Sequence, residues 1–193
     1  MEKKHPEKPF ERYADDIVVH CKTEKQALFM LRQIKSRMSD CKLTLHPEKT
    51  QIVNLRGKAE KHYPKRFDFL GFTIKPARFK TKGKKIIALP GIFVSQKSRN
   101  SILEKIRAMN IHKRRGKLEH IAQVINPVIS GIINYYHKFQ RNDIRRVWHQ
   151  LNARLLKWVK WEKDVGKKKA LRYLRTRYKE NPYLFAHWRL VHP

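Results

Sequence analysis

The sequence is poor in several residues and patterns that would indicate well-defined classes of protein. Cysteine occurs only twice in 193 residues, at Cys21 and Cys41, which argues against a disulfide framework or a cysteine zinc site and fits a reducing compartment. No stretch approaches the roughly 18 uncharged apolar residues of a membrane span. The first six residues lack the apolar core of a signal peptide. We therefore expect an intracellular, cytoplasmic protein.

Acidic residues are the other scarce class, because 16 Asp and Glu accompany 46 Lys and Arg, a formal net charge of +30. Residues 1–76 hold 17 basic and 10 acidic side chains, whereas residues 77–193 hold 29 and 6. This density favours a nucleic acid partner, since each neutralised phosphate releases condensed counterions. An anionic membrane surface is the alternative, but the basic residues do not sort onto one face of a single amphipathic helix.

Two adjacent aspartates, Asp15 and Asp16, lie between short apolar stretches. Tyr13 precedes them and three β-branched residues follow at 17–19, a pattern that predicts a tight β-hairpin with the aspartates at its bend. Adjacent carboxylates repel, and Mg²⁺, which binds through one or two carboxylates plus substrate phosphates, would relieve that repulsion. Paired ions of this kind serve nucleotidyl transfer. The alternative is a plain solvated turn.

The next stretch predicts a helix, a turn and a strand. Apolar spacing predicts an amphipathic helix from Thr23, its N-cap, to about Asp40. Residues 43–53 predict a short extended piece, a turn marked by Pro47, and a strand. Lys49 in that turn is a candidate to protonate or steady a leaving pyrophosphate, and the alternative is a solvated loop lysine.

Two further β elements are predicted before residue 95. Residues 67–74 predict a strand in which Gly71 allows a close approach to the backbone, and the alternative is a core strand with a bulge. A hairpin follows, with its turn at residues 82–84. Beyond residue 95 the pattern changes to helices, so we expect a domain boundary there.

Four helices are predicted in the second half. Ser98 or Ser101 is expected to cap the first, and the third and fourth cover roughly residues 141–160 and 167–178. The second, over residues 118–136, contains Asn126-Pro127. Because proline costs about 3 kcal/mol inside a helix, we expect a kink there, or a fresh start capped by Asn126.

Aromatic and basic side chains of this half are candidates for nucleic acid contacts. Six aromatics could stack on bases, although core packing is the favoured interpretation for most of them: Tyr135, Tyr136, Trp148, Trp158, Trp161 and Trp188. The basic candidates for phosphate contacts, whose alternative role is solubility, are Lys113, Arg114, Arg115, Arg141, Arg145, Arg146, Arg154, Lys157 and Lys160.

Three short motifs occur in an order that is typical of one protein family. Residues 13–16 (YADD), 45–50 (LHPEKT) and 69–72 (FLGF), in this succession, resemble the later motifs of the group II intron reverse transcriptase/maturase family. Residues 125–136 (INPVISGIINYY) and 184–188 (LFAHW) resemble that family's maturase-specific thumb. The resemblance covers nearly the whole chain.

The resemblance implies an α+β fold. Residues 1–95 would form part of a reverse transcriptase palm, an antiparallel sheet with a packed helix and a connecting hairpin, and residues 96–193 a helical thumb or maturase domain. It implies RNA-templated DNA synthesis with Mg²⁺, intron splicing and mobility, and partners such as group II intron RNA and RNA/DNA hybrid.

The resemblance also assigns site residues. Asp15 and Asp16 would be the catalytic, metal-binding aspartates, with Lys49 as the catalytic candidate beside them. The primer end would be gripped by Phe69, Leu70, Gly71 and Phe72.

One departure from the family changes what we expect of this chain. The family's third catalytic aspartate lies upstream of the Tyr-Ala-Asp-Asp motif, together with the fingers, and here only twelve residues precede Tyr13. We therefore expect an incomplete Mg²⁺ site and an RNA-binding C-terminal part that does not extend a primer alone. It would come from a split gene with a separate N-terminal polypeptide, a fragment or a degenerate copy. The alternatives are a non-catalytic splicing cofactor and an inert remnant.

Overall fold

The computed structural model describes residues 9–56, 63–81, 83–139 and 143–193. They form two compact units. The first unit is the chain up to Phe69 together with Lys75–Pro90, and the helical unit is Leu70–Ile74 together with Gly91–Pro193. A small antiparallel sheet followed by helices confirms the predicted α+β class. The palm and thumb boundary at residue 95 stays a prediction.

The predicted hairpin is confirmed, but of the two aspartates only Asp15 lies in its turn, and Asp16 begins its second strand. Strands β1 (Phe10–Tyr13) and β2 (Asp16–Val19) pair antiparallel, with Tyr13 opposite Asp16. The helix that follows, α1 (Glu24–Asp40), begins after Thr23, whose hydroxyl oxygen accepts the Gln26 backbone N–H at 3.2 Å. This N-cap is also the predicted one.

The predicted strand after Pro47 is wrong, because residues 50–55 adopt no strand. The turn at Pro47 is present: the backbone N–H groups of Lys49 and Thr50 donate to the His46 carbonyl at 3.3 and 3.0 Å. Farther on, the Asn54 N–H donates to the Pro64 carbonyl at 3.0 Å. Ile52 and Val53 have high strand propensity, but a strand also requires a paired neighbour, which propensity does not supply.

The second sheet has the strand order β3 (Phe67–Phe69), β4 (Phe72–Lys80), β5 (Ile86–Val94). The prediction of one strand over residues 67–74 is therefore wrong. Leu70 and Gly71 form a tight turn with φ angles of 48° and 78°, and two positive φ angles are the requirement of a type I′ hairpin. The β4–β5 hairpin is confirmed, and of its predicted turn residues Lys82 lies outside the described ones.

The helical unit contains α2 (Gln96–Ala108), α3 (Leu118–Tyr136), α4 (Arg145–Glu162) and α5 (Lys167–Glu180), with a short 3₁₀ turn at Ile111–Lys113. Neither predicted serine caps α2. Ser95 is the cap, because its backbone is extended and its hydroxyl oxygen accepts the Ser98 N–H at 3.1 Å.

Helix α3 continues through Pro127, so the predicted fresh start at Asn126 is wrong. The Asn126 amide is committed elsewhere: its Nδ2 donates to the Leu184 carbonyl at 2.9 Å and its Oδ1 accepts the Ala186 N–H at 3.0 Å. Ile125 and Ile129 on either side of the proline are fully buried. Tertiary packing therefore outweighs the local cost of proline.

The C-terminal segment closes the core of the helical unit around Asn152. Oδ1 of Asn152 lies 2.7 Å from Nε2 of His187 and accepts the Trp188 indole N–H at 3.1 Å. Nδ2 donates to the carbonyls of Val191 and His192. Since Oδ1 can only accept, Nε2 of His187 carries the proton. Burial lowers the pKa of His187 to about 3, so the ring is neutral.

Over the described part of the chain, the longer helices carry too many polar and charged residues, and the rest are too short, to cross a bilayer.

Candidate metal site and nucleic-acid interface

The two candidate metal-binding aspartates occupy successive positions of the β1–β2 hairpin. Asp15 lies in the turn and Asp16 opens β2, and both side chains are exposed. Ala14 has a left-handed φ of 52°, and the Arg12 Nε donates to its carbonyl at 2.9 Å, which fixes the turn. Two adjacent carboxylates offer the hard oxygen donors that Mg²⁺ takes when substrate phosphates complete its shell. Among the described residues, no cluster of three or more His, Cys, Asp or Glu is present.

Lys49 lies in the exposed turn after Pro47. This turn belongs to the first unit, as do the aspartates. The catalytic role of Lys49 stays a prediction.

The Leu70–Gly71 turn of the third motif is held within the helical unit. The Gly71 carbonyl accepts the Ser98 hydroxyl at 2.9 Å and the Ser95 N–H at 3.0 Å, and the Tyr135 hydroxyl donates to the Leu70 carbonyl at 2.9 Å. A Cβ atom on Gly71 would lie only 2.9 Å from the Ser98 hydroxyl oxygen. The predicted close approach at this glycine is thus confirmed.

Phe72 anchors an aromatic cluster beside this turn. Its ring centroid lies 5.7, 5.4 and 5.1 Å from those of Tyr135, Tyr136 and Phe139. Phe72 is buried, whereas Tyr135 and Phe139 are about half exposed. Of the four residues predicted to grip a primer, Phe72 therefore packs in the aromatic cluster, and Leu70 and Gly71 form the turn.

Helix α4 carries three exposed cations along one line, Arg146, Lys157 and Lys160, which we name the α4 stripe. Their spacings of eleven and three residues are close to three turns and one turn of a helix of 3.6 residues per turn. The opposite face packs Trp148 and Leu155 into the core. Packing therefore holds the stripe in a fixed array that faces solvent.

The remaining basic candidates differ in their exposure and in the contacts that they make. Arg145 and Lys113 are exposed, whereas Arg154 is partly buried and lines a cavity of about 350 Å³ with Ile111, His112 and Lys157. Arg114 has a structural role as well, because its Nε donates to the Met109 carbonyl at 3.1 Å and its own carbonyl accepts the Trp158 indole N–H. Arg141 lies outside the described residues.

The few acids of the helical unit are largely engaged in ion pairs with arginines that do not belong to the α4 stripe. Of six acidic residues in 91–193, four have such pairs: Glu119 and Glu180 with Arg177, Asp143 with Arg99, and Glu162 with Arg115. A backbone hydrogen bond at the start of α3, together with Arg177, holds the pKa of Glu119 below its usual value. Despite partial burial, Glu119 and Glu180 raise the pKa of Arg177. Most of the acids of the helical unit are therefore paired with arginines outside the α4 stripe.

Two family models match this chain. The model described as reverse transcriptase (RNA-dependent DNA polymerase) matches residues 1–74, and the model described as group II intron, maturase-specific domain matches residues 99–178. The chain belongs to the group II intron reverse transcriptase/maturase family. A search of the curated proteins found no match. The two family-model matches confirm the predicted resemblance.

The two family matches can be compared with the two compact units of the structure. The match to the reverse transcriptase model includes the aspartate hairpin, and reverse transcriptases generally use Mg²⁺. The same match ends at residue 74, although Leu70–Ile74 pack in the helical unit. The family boundary in sequence therefore differs from the boundary of compact packing.

Among the four tryptophans of this family member, the structure separates one from the rest. Trp148, Trp158 and Trp188 are at most 1% exposed, as the packing interpretation predicts, whereas Trp161 is 45% exposed. The Arg115 guanidinium carbon lies 3.7 Å from the centroid of the Trp161 ring. Sequence carried a signal for this, because Trp161 lies beside Lys160 and Glu162 at the end of the apolar periodicity.

Proposed function

We propose that this chain binds structured RNA through the helical unit, as part of an intron-encoded reverse transcriptase/maturase. The observation that carries the proposal is the α4 stripe. Its three cations are exposed, face solvent from a packed helix, and share their unit with acids that are mostly paired elsewhere. Arg145, Lys113 and the more deeply set Arg154 extend the positive surface. Group II intron RNA and RNA/DNA hybrid are the partners we propose.

Phosphate contacts of this kind have a measurable signature. Each one releases counterions, so the logarithm of the binding constant falls with the logarithm of salt concentration by roughly 0.7–0.9 per contact. The full chain should bind structured RNA with a slope of magnitude several. Changing Arg146, Lys157 and Lys160 together to Gln should lower that magnitude by roughly 2–3.

A matched control removes the same charge from the first unit. Arg32, Lys35 and Lys42 are exposed there, and their triple Gln variant should change the slope by less than the stripe variant does. Both variants must give the circular dichroism spectrum of the parent chain. An unchanged slope in the folded stripe variant would exclude these three side chains as phosphate contacts.

We propose that Asp15 and Asp16 bind Mg²⁺ when substrate phosphates are present. Their donor set supports this, because two exposed carboxylates match the minimal protein contribution to a Mg²⁺ site. The ion would supply charge neutralisation for phosphoryl oxygens. Lys49 as a helper for the leaving pyrophosphate and the turn at residues 69–72 as a primer contact are further parts of the proposal, as is a cytoplasmic location.

Binding and chemistry separate in two assays. With a nucleoside triphosphate present to supply the phosphates, Mn²⁺, a paramagnetic substitute for Mg²⁺, should broaden NMR signals of the β1–β2 hairpin in the parent chain and not in the Asp15→Asn, Asp16→Asn variant. We predict that the chain alone does not extend a primer on an RNA template. Extension only after addition of a separate N-terminal polypeptide would support a split enzyme, and RNA binding without extension under either condition would favour a non-catalytic splicing cofactor.

A further inference from the structure

The exposed Trp161 has no role in the core, and its surroundings have the composition of a site for single-stranded nucleic acid. Such sites combine aromatic faces for the bases with cations for the backbone. Lys160 precedes Trp161 directly and Lys157 lies four residues earlier, where side chains of a helix are neighbours about 5–6 Å apart at Cβ. Aromatic surface and phosphate-binding charge therefore share one end of the α4 stripe.

Arg115 adds a second planar group to this position. Its guanidinium lies over the indole ring, while 70% of its side chain remains exposed. Glu162 helps to orient it, because the carboxylate Oε2 lies 3.6 Å from Arg115 Nη1 and Oε1 accepts the Gly116 N–H at 3.1 Å. The Glu162 charge is thus opposed by a guanidinium and a backbone donor, which reduces its repulsion of an incoming phosphate.

We propose that Trp161 and Arg115 form a stacking site for an unpaired base of single-stranded RNA. Bases stack on aromatic rings and on guanidinium planes, and this arrangement offers both in one stack. The backbone of the same nucleotide segment would run along Lys160 and Lys157. The inference rests on the proposed RNA binding and adds a subsite for a base to a surface otherwise defined by phosphate contacts.

The site has its own spectroscopic reporter, because the other three tryptophans are at most 1% exposed. Acrylamide should quench the emission of Trp161 selectively in the full chain, and Trp161→Phe should remove that accessible component. Binding of oligouridylate should protect Trp161 from acrylamide. An abasic ribose-phosphate oligomer of equal length should bind at low salt without protecting it.

Affinities measured with the same two oligomers test the site independently. Trp161→Ala should weaken oligouridylate binding by about five- to a hundredfold, the usual effect of removing one stacked base contact, and leave abasic oligomer binding within about twofold of the parent. Arg115→Lys keeps the charge but not the plane, so it should also weaken oligouridylate preferentially. Tyr183→Ala, which removes another exposed aromatic ring, is the matched control and should change neither.

The outcomes distinguish the two proposals. If both oligomers bind with salt dependence but Trp161 stays accessible, or Trp161→Ala weakens both oligomers equally in folded protein, the stacking site is refuted and the phosphate-binding proposal stands. If neither oligomer nor structured RNA binds at low salt, RNA binding itself fails and the stacking site fails with it.

Discussion

The two units of this chain differ most in what they bury. Among the described residues of the first unit only Met30 is buried, whereas the helical unit contains a continuous core of 22 buried residues. A two-stranded hairpin is marginally stable by itself, while a packed helix fixes the position of each side chain on its outer face. The aspartates therefore lie on an element with little buried support, whereas the exposed cations of the α4 stripe lie on a helix that is packed into a core.

The largest expected effect tests this difference in burial. Leu155 in α4 is fully buried, so Leu155→Ala should destabilise the helical unit by about 2–5 kcal/mol. Leu28→Ala in α1 removes the same atoms from a side chain that is 40% exposed and should cost about 1 kcal/mol or less. Urea unfolding followed by circular dichroism measures both. Equal losses would show that the first unit has a core comparable to that of the helical unit.

Gly71 lies within the reverse transcriptase match, but its contacts are made within the helical unit. Gly71→Ala should destabilise by about 1–3 kcal/mol, since φ is +78° and the new Cβ would lie 2.9 Å from the Ser98 hydroxyl oxygen. Gly83→Ala meets nothing within 4 Å and should be nearly neutral. Thermal unfolding measures both variants. A neutral Gly71→Ala would contradict the tight contact between the turn and Ser98.

The same turn shows where sequence-based prediction succeeds and fails. Helix periodicity, the Thr23 cap and the turn chemistry around the aspartates are local, and they were predictable. Gly71 was identified as a site of close approach, but the hairpin was not predicted. Most of residues 67–74 favour strands, and a leucine such as Leu70 rarely adopts a positive φ. Pro127 stays helical through tertiary contacts made by Asn126 sixty residues away, which a local rule omits.

The candidate site was predictable to a similar extent. The aspartates and the basic residues of α4 were found from motif and charge alone. The cap of α2 was missed because Ser95, Ser98 and Ser101 are chemically equivalent, and only the backbone conformation at Ser95 selects it. The exposure of Trp161 depends on which flank of α4 the core covers, and aromatic composition alone does not determine that.

A pH effect should be traceable to the helical unit. His187 has an ordinary pKa near 6.5, lowered by burial to about 3 in the fold. Above pH 6.5 the imidazole of His187 is neutral in both the folded and the unfolded chain, so this group does not reduce the stability. As the pH falls below 6.5 the unfolded chain binds a proton that the folded chain excludes, so stability should fall by about 1.4 kcal/mol per pH unit from this group until pH approaches 3.

The variant His187→Gln isolates this contribution. It should be less stable than the parent at pH 7.5, yet its stability should depend less on pH between 6.5 and 5.5, a window above the pKa values of ordinary carboxylates, which are about 3.9 and 4.3. Urea unfolding at several pH values provides the comparison. A parallel pH dependence of the two proteins would contradict the assignment to His187.

RNA binding by the helical unit is tested most directly by a comparison of the full chain with residues 67–193. This fragment begins before the Leu70–Gly71 turn, because those residues pack in the helical unit, and it omits the aspartate hairpin and α1. If the helical unit binds the RNA, the folded fragment binds structured RNA with a salt slope within about one unit of that of the full chain. A folded fragment that loses most of the slope and more than tenfold in affinity would place most of the phosphate contacts in residues 1–66 and contradict the proposal.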